Sequence, residues 1–230
     1  MTSQRGFTLV ELIVGMFSTI VILTAILSLV RVATTNQDRV AERVGANQKV
    51  RPVMTKLIDT LHSSCIAPGL SPIQAGSTGS SLIVLSRSGS TVSPVPDRRV
   101  ITLTGSVLSE SIYPVSGGQL PNYTFAASPS STRTVLTGVS AGAVGSPPVS
   151  VPMFRYYAYT GDLIGTTPLT TPLSAADAAR TAHVAMAFAA SPTSNTTGPE
   201  QKAAITISDS ANLRLESASD VTGQVNLPCA

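Results

Sequence analysis

Residues 5–30 read Arg5-Gly6-Phe7-Thr8-Leu9-Val10-Glu11-Leu12-Ile13-Val14-Gly15-Met16-Phe17-Ser18-Thr19-Ile20-Val21-Ile22-Leu23-Thr24-Ala25-Ile26-Leu27-Ser28-Leu29-Val30. The block from Phe7 to Val30 is 24 residues long and holds one charge, Glu11. Coiled as a helix it extends about 36 Å, enough to cross a hydrocarbon core of about 30 Å. A cleavable secretory signal has a shorter apolar region and ends in a small-residue cut site. This run instead passes straight into Arg31 and a polar helical pattern. Arg5, ahead of the block, places the N-terminus on the cytoplasmic side and the remainder of the chain outside. An unpartnered carboxylate near the end of such a helix costs about 1–3 kcal/mol. Protonation or snorkelling toward the headgroups lowers that cost, and a partner charge removes it.

The segment Arg5-Gly6-Phe7-Thr8-Leu9-Val10-Glu11 resembles the processing and methylation motif of type IV prepilins and type II secretion pseudopilins. The match covers a short hydrophilic leader, Gly before the cut, Phe after it, the acid four residues on, and the long apolar run. The resemblance implies that a prepilin peptidase cuts between Gly6 and Phe7 and N-methylates the new Phe7 amine. Gly6 suits a protease cleft because its backbone lies extended with no side chain in the way. The resemblance further implies that Glu11 pairs with the Phe7 amine of a neighbouring subunit as subunits leave the bilayer for a filament. Such a buried pair specifies register more surely than it adds net stability.

Beyond Val30, Arg31, Asn36, Gln37, Asp38, Arg39, Glu42 and Arg43 alternate with valines, as in a helix continuing into water. Val50, Val53, Met54, Leu57, Ile58 and Leu61 then fall at helical spacing and form one apolar stripe, expected to dock the helix on its own globular body. Pro52 removes a donor and disfavours helical geometry at Arg51, which predicts a break near residues 45–52, with Gly45 contributing. Gly15 lies in the membrane half, but no proline precedes Arg51 there, unlike many major pilins.

After Pro68-Gly69 the pattern becomes β-rich, with strands predicted at Ser81–Ser86, Arg99–Thr104, Ser106–Tyr113, Thr134–Val139, Phe154–Tyr159, Ala203–Ser208 and Asn212–Glu216. Stretches 87–98, 114–132, 140–152 and 190–201, rich in Ser, Gly, Pro and Thr, read as loops. Segment 174–189 reads as a short helical turn followed by a strand. Phe154-Arg155-Tyr156-Tyr157 with Gly161 resembles a strand-and-turn feature of the larger minor pilins and of the pseudopilin J group. That second resemblance implies a helix spine with an antiparallel sheet packed on it.

Cys65 and Cys229 are the only cysteines. Behind an export signal an even count favours one disulfide, which in the chain-entropy model stabilises by roughly 4–5 kcal/mol. Two free thiols are the alternative. The charge is scattered: formal net charge is +3, and Arg98-Arg99 is the longest basic run, which gives no footprint for nucleic acid. His62 and His183 show no metal-ligand spacing. No Gly-x-Ser-x-Gly elbow, Walker loop or dinucleotide fingerprint occurs. The acids Asp162, Asp177, Glu200, Asp209, Glu216 and Asp220 read as solvated surface. Asn122-Tyr123-Thr124 and Asn195-Thr196-Thr197 fit the glycosylation pattern but read as surface loops. Tyr156, Tyr157 and Tyr159 read as packing residues in preference to a nucleotide-stacking platform.

The expected architecture is α+β: leader 1–6, membrane and filament-core helix 7–30, amphipathic continuation 31–64, and β-rich body 65–230. The expected role is a non-enzymatic minor pilin or pseudopilin with no cofactor or metal. It would be anchored by one span in the cytoplasmic membrane, with its body outside the cytoplasm. Its expected partners are the prepilin peptidase, other pilin subunits and the assembly platform. A tip adhesin or DNA-uptake subunit, or an anchored enzyme, are the competing readings.

Overall fold

The computed structural model describes residues 8–65, 69–89, 94–161, 163–190 and 205–213. The chain forms two compact units, Met1–Val44 and Gly45–Ala230. Helix α1, Leu9–His62, contributes to both. In the first unit its apolar side chains lie open: the large hydrophobic residues from Leu9 to Val32 are each between 51% and 74% exposed. The apolar stretch is long and hydrophobic enough to span a membrane.

In the second unit the stripe is buried. Val50, Met54, Leu57 and Leu61 are at most 4% exposed, and Val53 and Ile58 pack at the margin of the same core. The break expected at residues 45–52 does not occur, because α1 runs through Pro52. The proline costs one donor to the Gln48 carbonyl, but Gln48 is exposed, so water can serve that oxygen. Val50 before the proline and Met54 after it are both held in the core, which keeps the two sides in line.

The body is antiparallel. One sheet has the order β1 (Ser81–Gly89), β2 (Pro94–Thr104), β3 (Val107–Tyr113), β6 (Ser131–Thr137). Between β3 and β6 lies the hairpin β4 (Val115–Gln119) and β5 (Asn122–Phe125). Then come β7 (Val139–Ala141) and the small hairpin β8 (Ala143–Val144) and β9 (Val149–Ser150). The second sheet orders β11 (Leu163–Ile164), β10 (Phe154–Thr160), β12 (Thr181–Ala190), β13 (Ile205–Asn212), with β7 also pairing on β12. Helix α2, Ala175–Ala179, precedes β12 and is capped by Ser174, whose hydroxyl accepts from the Asp177 N–H.

One core joins the helix stripe to both sheets. Leu82, Val84, Ile101 and Leu108 enter it from the first sheet, and Phe154, Tyr156, Val184, Met186 and Phe188 from the second. The alternation of Val184, Met186 and Phe188 is the period-2 pattern of a strand, as the sequence predicted. On the opposite face of β12, Ala187 and Ala189 are also buried. Gly142 lies against it so closely that a Cβ there would sit 2.8 Å from the Ala187 carbonyl carbon.

Several predicted loops are strands. β1 extends to Gly89 and β2 starts at Pro94, so most of 87–98 is paired. Stretch 114–132 holds the β4–β5 hairpin and 140–152 the β8–β9 hairpin. Pro121 and Gly145 lie in the two hairpin turns, and Gly145 takes positive φ there. Asn122 opens β5, although exposed as expected of a surface site. Stretch 191–201, including Asn195, lies outside the described residues.

Candidate functional site

The first turn of α1 is built from its own side chains. Thr8 stands at the N-cap, and Glu11 three residues on reaches back to it. The Glu11 carboxylate accepts from the Thr8 N–H at 3.1 Å and from its hydroxyl at 3.0 Å, while the Glu11 N–H donates to the Thr8 hydroxyl at 3.3 Å. This is a capping box, which satisfies helix-start donors reciprocally. The Thr-x-x-Glu spacing is the signal of this box in the sequence. Gly6 and Phe7, the expected cleavage and methylation residues, lie outside the described residues.

The hydroxyls farther along the apolar block are satisfied inside the helix. Ser18 donates to the Val14 carbonyl, Thr19 to Gly15, Thr24 to Ile20 and Val21, and Ser28 to Ala25. Such back-bonding lets a hydroxyl enter hydrocarbon without an unpaired donor. What this surface offers the outside is therefore apolar apart from Glu11.

At the other end of α1, Cys65 is fully buried beside Leu85, with its N–H donating to the Leu85 carbonyl at 2.7 Å. Among the described residues no cysteine is free. Cys229, its expected partner, lies outside the described residues.

Among the described residues the body holds one buried carboxylate, which the sequence alone did not reveal. Glu110 on β3 is 3% exposed and lies between Arg99 on β2 and Arg133 on β6. Arg99 donates at 3.0 Å to one oxygen, and the Nε of Arg133 donates at 2.6 Å to the other. The register places the three on adjacent strands, with Ile101 opposite Glu110 and Arg133 directly paired with it. Neighbouring Arg98 points the other way and lies over the rings of Tyr113 and Phe125, at 4.6 and 5.4 Å from their centroids. Both members of the longest basic run are thus engaged within the protein.

The three tyrosines of β10 separate by environment. Tyr156 is fully buried and its hydroxyl donates toward the carbonyls of Thr78 and Ser81, at 3.0 and 3.1 Å. Burial pushes its phenol well above the usual tyrosine value. Tyr157 meets His183 edge to face at 5.6 Å, and His183 Nδ1 lies 2.6 Å from the Asn212 side-chain oxygen. Tyr159 is half exposed. His62 is exposed at the end of α1. Among the described residues no three His, Cys, Asp or Glu side chains gather as a metal site would require. Asp177 is ion-paired to Arg180, and Asp209 lies on β13; Asp162, Glu200, Glu216 and Asp220 lie outside the described residues.

No family model, curated protein or solved structure matches the chain.

Proposed function

We propose that this chain is a filament subunit of the type IV pilin and pseudopilin class, anchored by α1 in the cytoplasmic membrane before assembly and carrying its β-rich body outside the cytoplasm. The observation that carries the reading is the division of labour along one helix of 54 residues. Its N-terminal half leaves every large apolar side chain open, while its C-terminal half buries the Val50–Leu61 stripe in the body core. A solvent-exposed apolar surface of that extent calls for lipid or like helices to cover it. A filament core supplies the second after the membrane has supplied the first.

In this proposal prepilin peptidase cuts after Gly6, Phe7 becomes the methylated N-terminus, and Glu11 exchanges its Thr8 partner for the Phe7 amine of the next subunit. The Thr8 contacts are local and exposed, so the exchange is not opposed by tertiary packing. Cys65 pairs with Cys229, tying the C-terminus to the end of the helix. The protein acts mechanically with other pilin subunits and the assembly platform, without a catalytic step of its own.

Intact-mass and N-terminal analysis of the protein from its native membrane, with and without the peptidase, tests the proposal. A mature chain beginning at methylated Phe7, together with a Glu11→Ala variant that is cut but stays out of filaments, is the expected result. A chain that keeps its first six residues in the presence of active peptidase would overturn it.

A further inference from the structure

The body carries an open cleft of about 640 Å³, formed by the end of β10, by β11, by the loop through residues 165–170, and by Asp177 of α2 with its C-cap residue Arg180. Its size falls within the range of small-molecule sites, about 300–1,000 Å³. The walls are held by backbone bonds: the Gly165 N–H donates to the Ala158 carbonyl at 2.8 Å and the Leu169 N–H to the Tyr156 carbonyl at 2.7 Å. Because Tyr156 is anchored in the core, the loop is fixed to the rigid sheet.

The lining chemistry narrows the ligand. Tyr159, 50% exposed, is the one aromatic residue that lines the cleft among the described residues. Thr160, Thr166 and Thr167 offer hydroxyls that both donate and accept. Asp177 and Arg180 line the far side as a forked pair, Arg180 donating from Nε at 2.9 Å and from Nη2 at 2.6 Å to one carboxylate oxygen. Their charges cancel, so the pair offers a phosphate or carboxylate ligand no net charge to bind. A purely apolar ligand would strand the hydroxyls. A molecule with a flat C–H face for Tyr159 and several neutral hydroxyls meets both demands.

We infer that this cleft is a binding site for a neutral saccharide of one or two rings. The sugar stacks a ring face on Tyr159, and its hydroxyls bond the threonines and the free lone pairs and N–H groups of the Asp177–Arg180 pair. The site lies wholly in the β-rich body and is independent of the filament proposal.

Saturation-transfer NMR on the full chain in a sugar-free detergent tests it, with lactose, maltose and N,N′-diacetylchitobiose as probes and orthophosphate as the ionic control. Transfer to the ring C–H protons of at least one disaccharide is expected. Tyr159→Ala and Asp177→Asn should each weaken that binding about tenfold or more, the effect expected for loss of a charge-assisted hydrogen bond or stacking contact. Tyr159→Phe should retain it. If Asp177→Asn loosens α2, seen as a lowered melting temperature, Arg180→Gln reads the same pair. The inference is overturned if none of the three sugars shows transfer, if transfer survives Tyr159→Ala, or if orthophosphate competes the sugar away.

Discussion

Glu11 and Thr8 close on each other at the start of α1, the carboxylate accepting from the threonine N–H and hydroxyl and the Glu11 N–H donating back to that hydroxyl. Removing the capping side chain should loosen the first turn by about 1 kcal/mol. Thr8→Ala should therefore speed amide hydrogen exchange in that turn roughly fivefold, including the Leu12 N–H that donates to the Thr8 carbonyl. Unchanged exchange would show that the box adds nothing to helix start. If Glu11 serves subunit pairing, Thr8→Ala should still enter filaments, whereas Glu11→Ala should not.

Glu110 is a polar position where a single near-isosteric substitution should cost the body heavily. Its carboxylate is 96% shielded between two guanidinium groups, since the side chain is 4% exposed. Breaking a buried charge set by removing one member costs about 3–5 kcal/mol, and the half-exposed Arg133 puts this one at the lower end. Glu110→Gln should lower stability by about 3 kcal/mol. Urea unfolding followed by tyrosine fluorescence measures it, since the chain has five tyrosines and no tryptophan. A loss under about 1 kcal/mol, as for surface pairs, would show that the cluster is effectively solvated.

Gly142 should tolerate no side chain. A Cβ there meets the Ala187 carbonyl carbon at 2.8 Å and the Phe188 nitrogen at 2.9 Å, both backbone atoms of a central strand. Gly142→Ala should cost about 1–3 kcal/mol by overpacking. Gly105→Ala is a poor control because its φ is positive; Gly45, in open space within α1, is a better one. Gly45→Ala should be neutral or stabilising by up to about 1 kcal/mol. Equal melting temperatures for the Gly142 and Gly45 variants would contradict the close approach.

Arg180, and then Ser174, hold the Asp177 carboxyl below its ordinary value through hydrogen bonds. A carboxyl whose folded pKa is depressed adds stability that is full above its unfolded pKa of about 3.9 and fades as pH falls through the lowered folded value. Below neutrality α2 should therefore loosen only in strong acid. A carboxyl-carbon NMR titration of Asp177 should give a midpoint below that of a free aspartate. In Arg180→Gln the midpoint should move up toward it, and no movement would mean that the ion pair is not formed in solution.

Much of the architecture is legible from periodicity. The apolar block from Leu9, the stripe from Val50 to Leu61 and the alternation in β12 each follow from local side-chain spacing. Strand positions such as β3 and β10 were legible for the same reason. The hairpins of 114–132 and 140–152 were not, because their residues are small and polar and carry little alternation. Their pairing is set by the turns at Leu120-Pro121 and after Gly145 that join the strands.

Glu110 was invisible for a different reason. A lone acid in a strand is ordinarily solvent-facing, and only the register of β2, β3 and β6 brings Arg99 and Arg133 onto it. Helix continuity through Pro52 was likewise beyond local rules, since propensity predicts a break and the burial of Val50 and Met54 overrides it. The sequence alone determined that this chain carries a membrane-length apolar helical block bearing one acid, followed by an amphipathic helix and a β-rich body. Those properties depend on the order of side chains along one element. Tertiary structure decided which charges meet and which glycines are crowded, as at Glu110 and Gly142, because each of these depends on residues distant in the chain meeting in space.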